Sequence, residues 1–435
     1  MHVVGIRRED RDEWEARAPL VPQDVARLVQ TDATDFVLQP SRLRVFTEDE
    51  YLSAGAGVDD DLGACGVVLA VKEIPSAFLQ PNKTYMFFSH TIKGQSHNMD
   101  MLRRLMELGC QLLDYERITD DDGKRLIFFS RFAGIAGTID SLWALGRRLE
   151  WEGLTPNPFA AIRQTFRYPS LAVAVAAVSE AGRRIAEDGF PAELCPFVIG
   201  LAGYGNASAG AQEITDPLGA VAVPPSGLDD LARAPIDRHV AYKSVFAEQD
   251  LFGRRDDASP FDLNEYYEQP ELYEGRFEPY LPRLAVLINC TYWDARYPRF
   301  LTKQAARELF GGGTPPLLRV IGDVSCDVDG SIEMTVKETH VGDPLFVYDP
   351  VTGIISDGVE GRGPIVIPMG NFPCELPRES SEAFSAVLSP FMPGLAEANF
   401  DVPFERLDLV PELRRALILH HGELTPDHAY MRRFV

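Results

Sequence analysis

Several polar side chains stand directly after apolar runs. Lys72 and Glu73 follow GVVLAV, His90 follows TYMFFS with Lys93 and Gln95 close behind, and Glu116 ends CQLLDYE. Glu15 and Arg17 lie together in EARAPLVP. Each alone reads as a solvated surface group. At the carboxyl ends of parallel strands they would converge, because ligands of such sheets gather there. The residue types suit a reaction that joins an amine to a ketone and then reduces the adduct. An amine attacks only when deprotonated, so an ammonium of pKa ~10.4 needs a base. Loss of water from the carbinolamine needs an acid. A histidine near neutrality and a lysine lowered by desolvation or by cationic neighbours can divide those two tasks. Arginine forks onto the carboxylates of a 2-oxo acid, and glutamates suit an incoming basic side chain.

A second constellation comprises Gly203, Gly205, Asn206 and Ser208 in PFVIGLAGYGNASAGAQEI. An apolar strand runs into a glycine turn and then a helix, the setting in which backbone N–H groups and the helix dipole receive a pyrophosphate. Ser208 takes the place of the third glycine of GxGxxG. An Asp or Glu about 20 residues on would hold a ribose diol. That place reads AVAVPPSG, with Pro224, Pro225 and Ser226 and no acid, so NADPH is favoured over NADH, although no arginine stands beside it.

The elements that must position these groups alternate between strand-like and helical runs in the first third of the chain. Such alternation indicates an α/β fold with largely parallel sheets. At 435 residues the chain exceeds the size, roughly 250 to 300 residues, at which one core stops growing. Two Rossmann-like domains with a cleft separating them are therefore expected. The boundaries read as 1–145 plus 335–435 for a discontinuous catalytic domain and 146–334 for the dinucleotide domain. Residues 138–153 and 171–189 read as long helices bridging into the second domain, 256–282 as an inserted loop, and SSEAFSAVLSPFM and LVPELRRALILHH as helical stretches returning to the first.

Acidic side chains number 65 against 42 basic, a net charge of −23 that repels nucleic acid and anionic lipid. The six cysteines form no CxxC and do not pair with histidine at ligand spacing, so no metal is expected. The longest apolar run, LAVAVAAV, is far short of the ~20 residues a bilayer needs, and MHVVGIRRED lacks a signal-peptide core. These features together predict a cytoplasmic protein.

The strings EARAPLVP, VKEIP, YMFFSHTIKGQ, RFAGIAG, GYGNASAGAQEI, NCTYWDARYPRFLT, IGDVSCDVDGSIE and DGVEGRGPIVIPMGNFPCELPRESSEAF span the chain. In them it resembles the lysine 2-oxoglutarate reductase family, found as the N-terminal part of aminoadipic semialdehyde synthase. That family is similar in turn to lysine-forming saccharopine dehydrogenase and to alanine dehydrogenase. The resemblance implies reductive condensation of lysine with 2-oxoglutarate to saccharopine, with substrate and nicotinamide meeting in the cleft. It implies Lys72 and His90 as the acid–base pair, and Arg17 on a substrate carboxylate. Glu15, Glu73 and Glu116 would tune the site or meet the amine. Gly203, Gly205, Asn206 and Ser208 would cradle the dinucleotide, with Asn289 and Asp323 or Asp327 near the nicotinamide ribose. Arg131 stands where relatives vary. The chain ends at Val435, where the fused relatives continue. The expectation is either a separate saccharopine-oxidising enzyme or operation in the lysine-forming direction. An alanine-dehydrogenase-like enzyme using NAD, or a silent lysine or cofactor sensor, are the competing readings. Retention of both Lys72 and His90 argues against the sensor.

Overall fold

The short apolar runs of the first third become strands: β1 (Val3–Ile6), β2 (Asp35–Leu38), β3 (Gly57–Val58), β4 (Val67–Leu69), β5 (Thr84–Phe87) and β6 (Gln111–Asp114). The computed structural model describes residues 3–32, 34–256, 259–312 and 314–435. Met1 and His2 at the head of the first strand run, and Asp257 and Ala258 of the expected insert, lie outside the described residues. Strands β4, β5 and β6 are buried along their whole length, as strands of a parallel sheet covered on both faces should be. With β17 (Leu417–His420) and β18 (Glu423–Leu424) they form one sheet of order β18-β17-β6-β5-β4-β1-β2-β3. Only the β6–β17 and β17–β18 pairs are antiparallel. The C-terminal segment thus returns to the first unit. LVPELRRALILHH, read as one helix, divides into the helix Pro411–Ala416 and β17, because the Leu-Ile-Leu run is fully buried beside β6.

The second sheet holds β7 (Phe197–Ala202), β8 (Val221–Ala222), β9 (Ala241–Phe246), β12 (Val286–Asn289), β13 (Val320–Asp323), β14 (Phe346–Tyr348), β15 (Ile355–Asp357) and β16 (Ile365–Ile367). Its order is β15-β14-β16-β13-β12-β7-β9-β8, parallel except at β14 and its two neighbours. The described part of the expected insert carries regular structure. Its helix Leu263–Glu268 and the hairpin of β10 (Phe252–Arg254) with β11 (Tyr273–Gly275) pack through Phe261, Tyr266 and Tyr273.

The chain divides into Met1–Phe129 with Pro377–Val435, and Ser130–Leu376. These bounds differ from the sequence expectation at both ends. The helix expected over 138–153 runs from Ser130 to Glu152 and lies in the second unit, as do residues 335–376. Its first turns carry glycines that lower helix propensity. Packing overrides that preference: a Cβ on Gly134 would fall 1.8 Å from the carbonyl oxygen of Ala207, and one on Gly210 2.0 Å from that of Arg131. Two helices can approach so closely only where side chains are missing. Among the described residues, no helix is long and apolar enough to cross a membrane, and no cluster of His, Cys, Asp and Glu could hold a metal ion.

Candidate active site

In the first unit, the carboxyl ends of β1, β4, β5 and β6 bring charged groups together. Glu9, three residues beyond β1, is buried, and its two oxygens accept the backbone N–H groups of Val71 (2.6 Å) and Lys72 (3.0 Å). That pair of bonds fixes the strand end from which Lys72 projects. Among the described residues, no hydrogen bond or ion pair ties the Lys72 ammonium. Burial, and next the charge of Arg17, pushes it below its ordinary value against the pull of Glu15 and Glu73. Burial and the nearby Glu15 push Glu9 up to about 7, although both backbone bonds and Arg7 oppose the rise.

His90 joins the same cluster through Glu73. Its Nδ1 donates to Oε1 of Glu73 at 2.6 Å, the other Glu73 oxygen meets Arg11, and Asn98 donates to Oε1 at 3.3 Å. Burial would raise the Glu73 carboxyl, but the bond and charge of His90, with Arg11, outweigh it and hold it at about 2. The His90 backbone sits at φ 48°, the left-handed region, where strain at functional residues is common. The ring stacks on Phe88 at 6.1 Å.

Other expected groups have different surroundings. Arg17, expected to take a substrate carboxylate, is buried with its fork on Glu15 (2.7 and 2.5 Å), its guanidinium 4.2 Å from the ring centre of Phe129. Glu116 pairs with Arg125 at 3.2 Å. Lys93 is exposed, and Gln95 stands at the N-cap position of the helix Ser96–Glu107 without a side-chain cap bond, its Oε1 buried and, among the described residues, without a donor. Residues not foreseen are Glu9, Arg11, Asn98 and Asp114, the last buried beside Ser89 and pushed up to about 6 by burial and Glu116. Glu9 follows β1 much as Lys72 follows β4, so the strand-end rule could have found it.

In the second unit, β7 ends at Ala202 and the chain turns at Gly203 (φ +93°), where a Cβ would come 3.1 Å from the carbonyl oxygen of Cys290. The space around Gly205 is open, and the helix Asn206–Thr215 starts there. Gly203, Gly205 and Asn206 line a cavity of about 500 Å³ with Tyr204, Glu248, Tyr267, Thr291 and Ser325. An open cradle at a glycine turn and a helix N-terminus fits a pyrophosphate. Ser208 faces away, fully buried, with no partner for its hydroxyl among the described residues. Asn289 and Asp323 are buried too. Asn289 donates to Asp323 (2.8 Å) and Ser331 (2.9 Å) and accepts from the Thr291 hydroxyl (2.7 Å), so the pair fixes the loops that line the cavity. Asp327 lies half-buried in the turn closed by Gly330 N–H to its carbonyl. Arg131 binds Glu213 through both arms.

Segment 221–226 holds the edge strand β8 and a turn, whereas the strand paired with β7 is β9, with Ala202 opposite Phe246. Two residues past β9 comes Glu248.

Residues 5–136 match the family model of the alanine dehydrogenase/PNT N-terminal domain. Over 99% of its length the chain is 36% identical to the alpha-aminoadipic semialdehyde synthase of Arabidopsis thaliana and 34% identical to the mitochondrial one of Bos taurus. The chain is a homologue of these synthases. It spans 41% and 48% of their lengths, about half of the curated relatives it matches. It is also 24% identical to the saccharopine dehydrogenase (NAD(+), L-lysine-forming) of Emericella nidulans, over 86% of this chain and 88% of that one. Among solved structures, an L-alanine dehydrogenase aligns with 99% of the chain and 98% of its own at TM-score 0.62 and 16% identity. A transhydrogenase from Sinorhizobium meliloti covers 97% of the chain and 100% of its own at 0.57 and 15%. The fold of this synthase homologue is thus that of alanine dehydrogenase, two α/β units with mostly parallel sheets.

Proposed function

We propose that the chain is a nicotinamide-dependent oxidoreductase that condenses the side-chain amine of L-lysine with 2-oxoglutarate to saccharopine. The observation that carries this reading is the unpartnered Lys72 ammonium, held below its ordinary value, in one charged cluster with the His90–Glu73 pair. A lysine so lowered exchanges a proton near neutrality more readily than a solvated one, and the imidazole, anchored by Glu73, supplies the second exchange. One takes the proton from the attacking amine; the other returns a proton to the departing hydroxyl of the carbinolamine. Glu15, Glu73 and Glu116, each paired with an arginine, would tune the charge around an incoming ammonium. Gly203, Gly205 and Asn206 would hold a reduced nicotinamide dinucleotide by its pyrophosphate. When bound, that group supplies hydride to the imine carbon. The names of the synthase and saccharopine dehydrogenase relatives support the choice of amine and product.

The test is direct. Purified protein is given L-lysine and 2-oxoglutarate with NADH and NADPH in turn while nicotinamide absorbance is followed. Consumption only when both substrates are present, with saccharopine identified by mass, is the expected result. Consumption with ammonia and pyruvate in their place would overturn the reading in favour of an alanine-dehydrogenase-like enzyme.

A further inference from the structure

Among the described residues lining the cavity beside the glycine turn, one side chain is charged, that of Glu248. Glu248 lies at the start of the helix Glu248–Leu251, just after β9, and β9 is hydrogen-bonded to β7 throughout. Gly203 N–H also donates to Phe246 O at 2.8 Å, which ties the glycine turn to the end of β9. Sheet order therefore puts Glu248 where an acid at the end of the second strand meets the adenosine ribose in a dinucleotide fold. The side chain is held there: the Tyr267 hydroxyl donates to Oε1 at 2.9 Å, and the carboxylate is near enough to Tyr204 to raise that hydroxyl further, after burial, above its ordinary value. Tyr204 lies within the glycine turn itself, and Tyr267 comes from the aromatic insert. Among the described residues lining the cavity there is no lysine or arginine to neutralise an added phosphate.

We propose that Glu248 selects the dinucleotide, accepting hydrogen bonds from the 2′ and 3′ hydroxyls of the adenosine ribose and repelling a 2′-phosphate, so that the chain takes NADH in preference to NADPH. This rests on the glycine-turn cavity as the dinucleotide site and is independent of which amine and oxo acid react. A diol donates two charge-assisted hydrogen bonds to a carboxylate, whereas a phosphate ester offers charge of the same sign. The expectation of NADPH rested on the absence of acid about 20 residues past the turn. In this fold β8, a turn and a short helix intervene before the strand that matters.

Binding decides the matter without turnover. NADH and NADPH are titrated into the full-length protein, following nicotinamide fluorescence, in the absence of lysine and 2-oxoglutarate. NADH should bind at least about tenfold more tightly, and Glu248→Gln should reduce that ratio by about tenfold or more, the usual worth of a hydrogen bond to a charged group. Competition in the unaltered protein gives a second reading, in which adenosine 5′-phosphate displaces NADH better than adenosine 2′,5′-bisphosphate does. Equal or tighter binding of NADPH, the reverse order of competitors, or a ratio unmoved in a folded Glu248→Gln variant each overturns the proposal. If the ratio holds while lysine and 2-oxoglutarate fail to react, the substrate reading falls and this one stands.

Discussion

Glu73 accepts a 2.6 Å hydrogen bond from Nδ1 of His90 while its other oxygen meets Arg11, so one carboxylate orients the imidazole and is itself held charged. Nε2 is left as the ring atom for proton exchange. Glu73→Gln keeps the size but loses the charge and the fixed tautomer. Turnover should fall by about ten- to a hundredfold, below the ~10²–10⁴ expected for His90→Ala, because the imidazole itself remains. Steady-state rates for both variants check this, and an unchanged rate in His90→Ala removes His90 from the mechanism.

Lys72 sets activity against stability. Burial lowers the ammonium, and among the described residues no hydrogen bond or ion pair offsets it, the pull of Glu15 and Glu73 being outweighed, so its charge destabilises the folded chain. Lys72→Met should cost about 10²–10⁴ in turnover and raise the melting temperature at pH 7 by a few degrees, the equivalent of about 1 kcal/mol. The folded state binds this proton more weakly than the unfolded chain does. The cost is therefore full below the lowered value and vanishes as pH climbs through the ordinary 10.5. Melting curves of both proteins across that range should converge at the alkaline end.

Strand-end logic made Lys72, Glu73 and His90 legible, because an apolar run that stops at a charge marks the edge of a parallel sheet. The glycine turn was legible for the same reason. Side-chain pairing was not. Arg17 and Glu15 satisfy each other, and Glu116 satisfies Arg125, because residue type announces a charge without naming its partner. Chain distance alone does not find Glu248, 45 residues past Gly203, because sheet order rather than residue count decides which strand lies beside β7. The start of the helix at Ser130 was hidden by its glycines, whose low propensity is reversed by the helix packed against them.

That packing is testable at Gly210. A methyl there would fall 2.0 Å from the backbone oxygen of Arg131, and backbone cannot swing aside as a flexible side chain can. Gly210→Ala should therefore lower stability by about 1–3 kcal/mol despite alanine's better helix propensity. Chemical denaturation measures this. A stabilised variant would mean that the helices Ser130–Glu152 and Asn206–Thr215 are not in contact.

Asp140 and Glu375 make the second unit sensitive to alkali. Both carboxyls are buried and interact with each other, and burial raises Asp140 above its ordinary value and Glu375 well above its own, which favours a proton kept on the pair. Asp140 accepts from the Thr165 N–H (2.8 Å) and hydroxyl (2.7 Å), while Gln164 donates to Glu375 at 3.0 Å. The two Thr165 donors favour the charge on Asp140, and that charge, outweighing the Gln164 bond, leaves the proton on Glu375. The folded chain binds that proton more tightly than the unfolded one, so stability is greatest below the ordinary carboxylate range and falls as pH rises toward the elevated folded value. Glu375→Gln supplies a permanent donor in place of the proton. Unfolding free energies of the variant, measured from pH 5 to 9, should lose this downward slope, and a slope equal to that of the unaltered protein would show that the pair holds no proton.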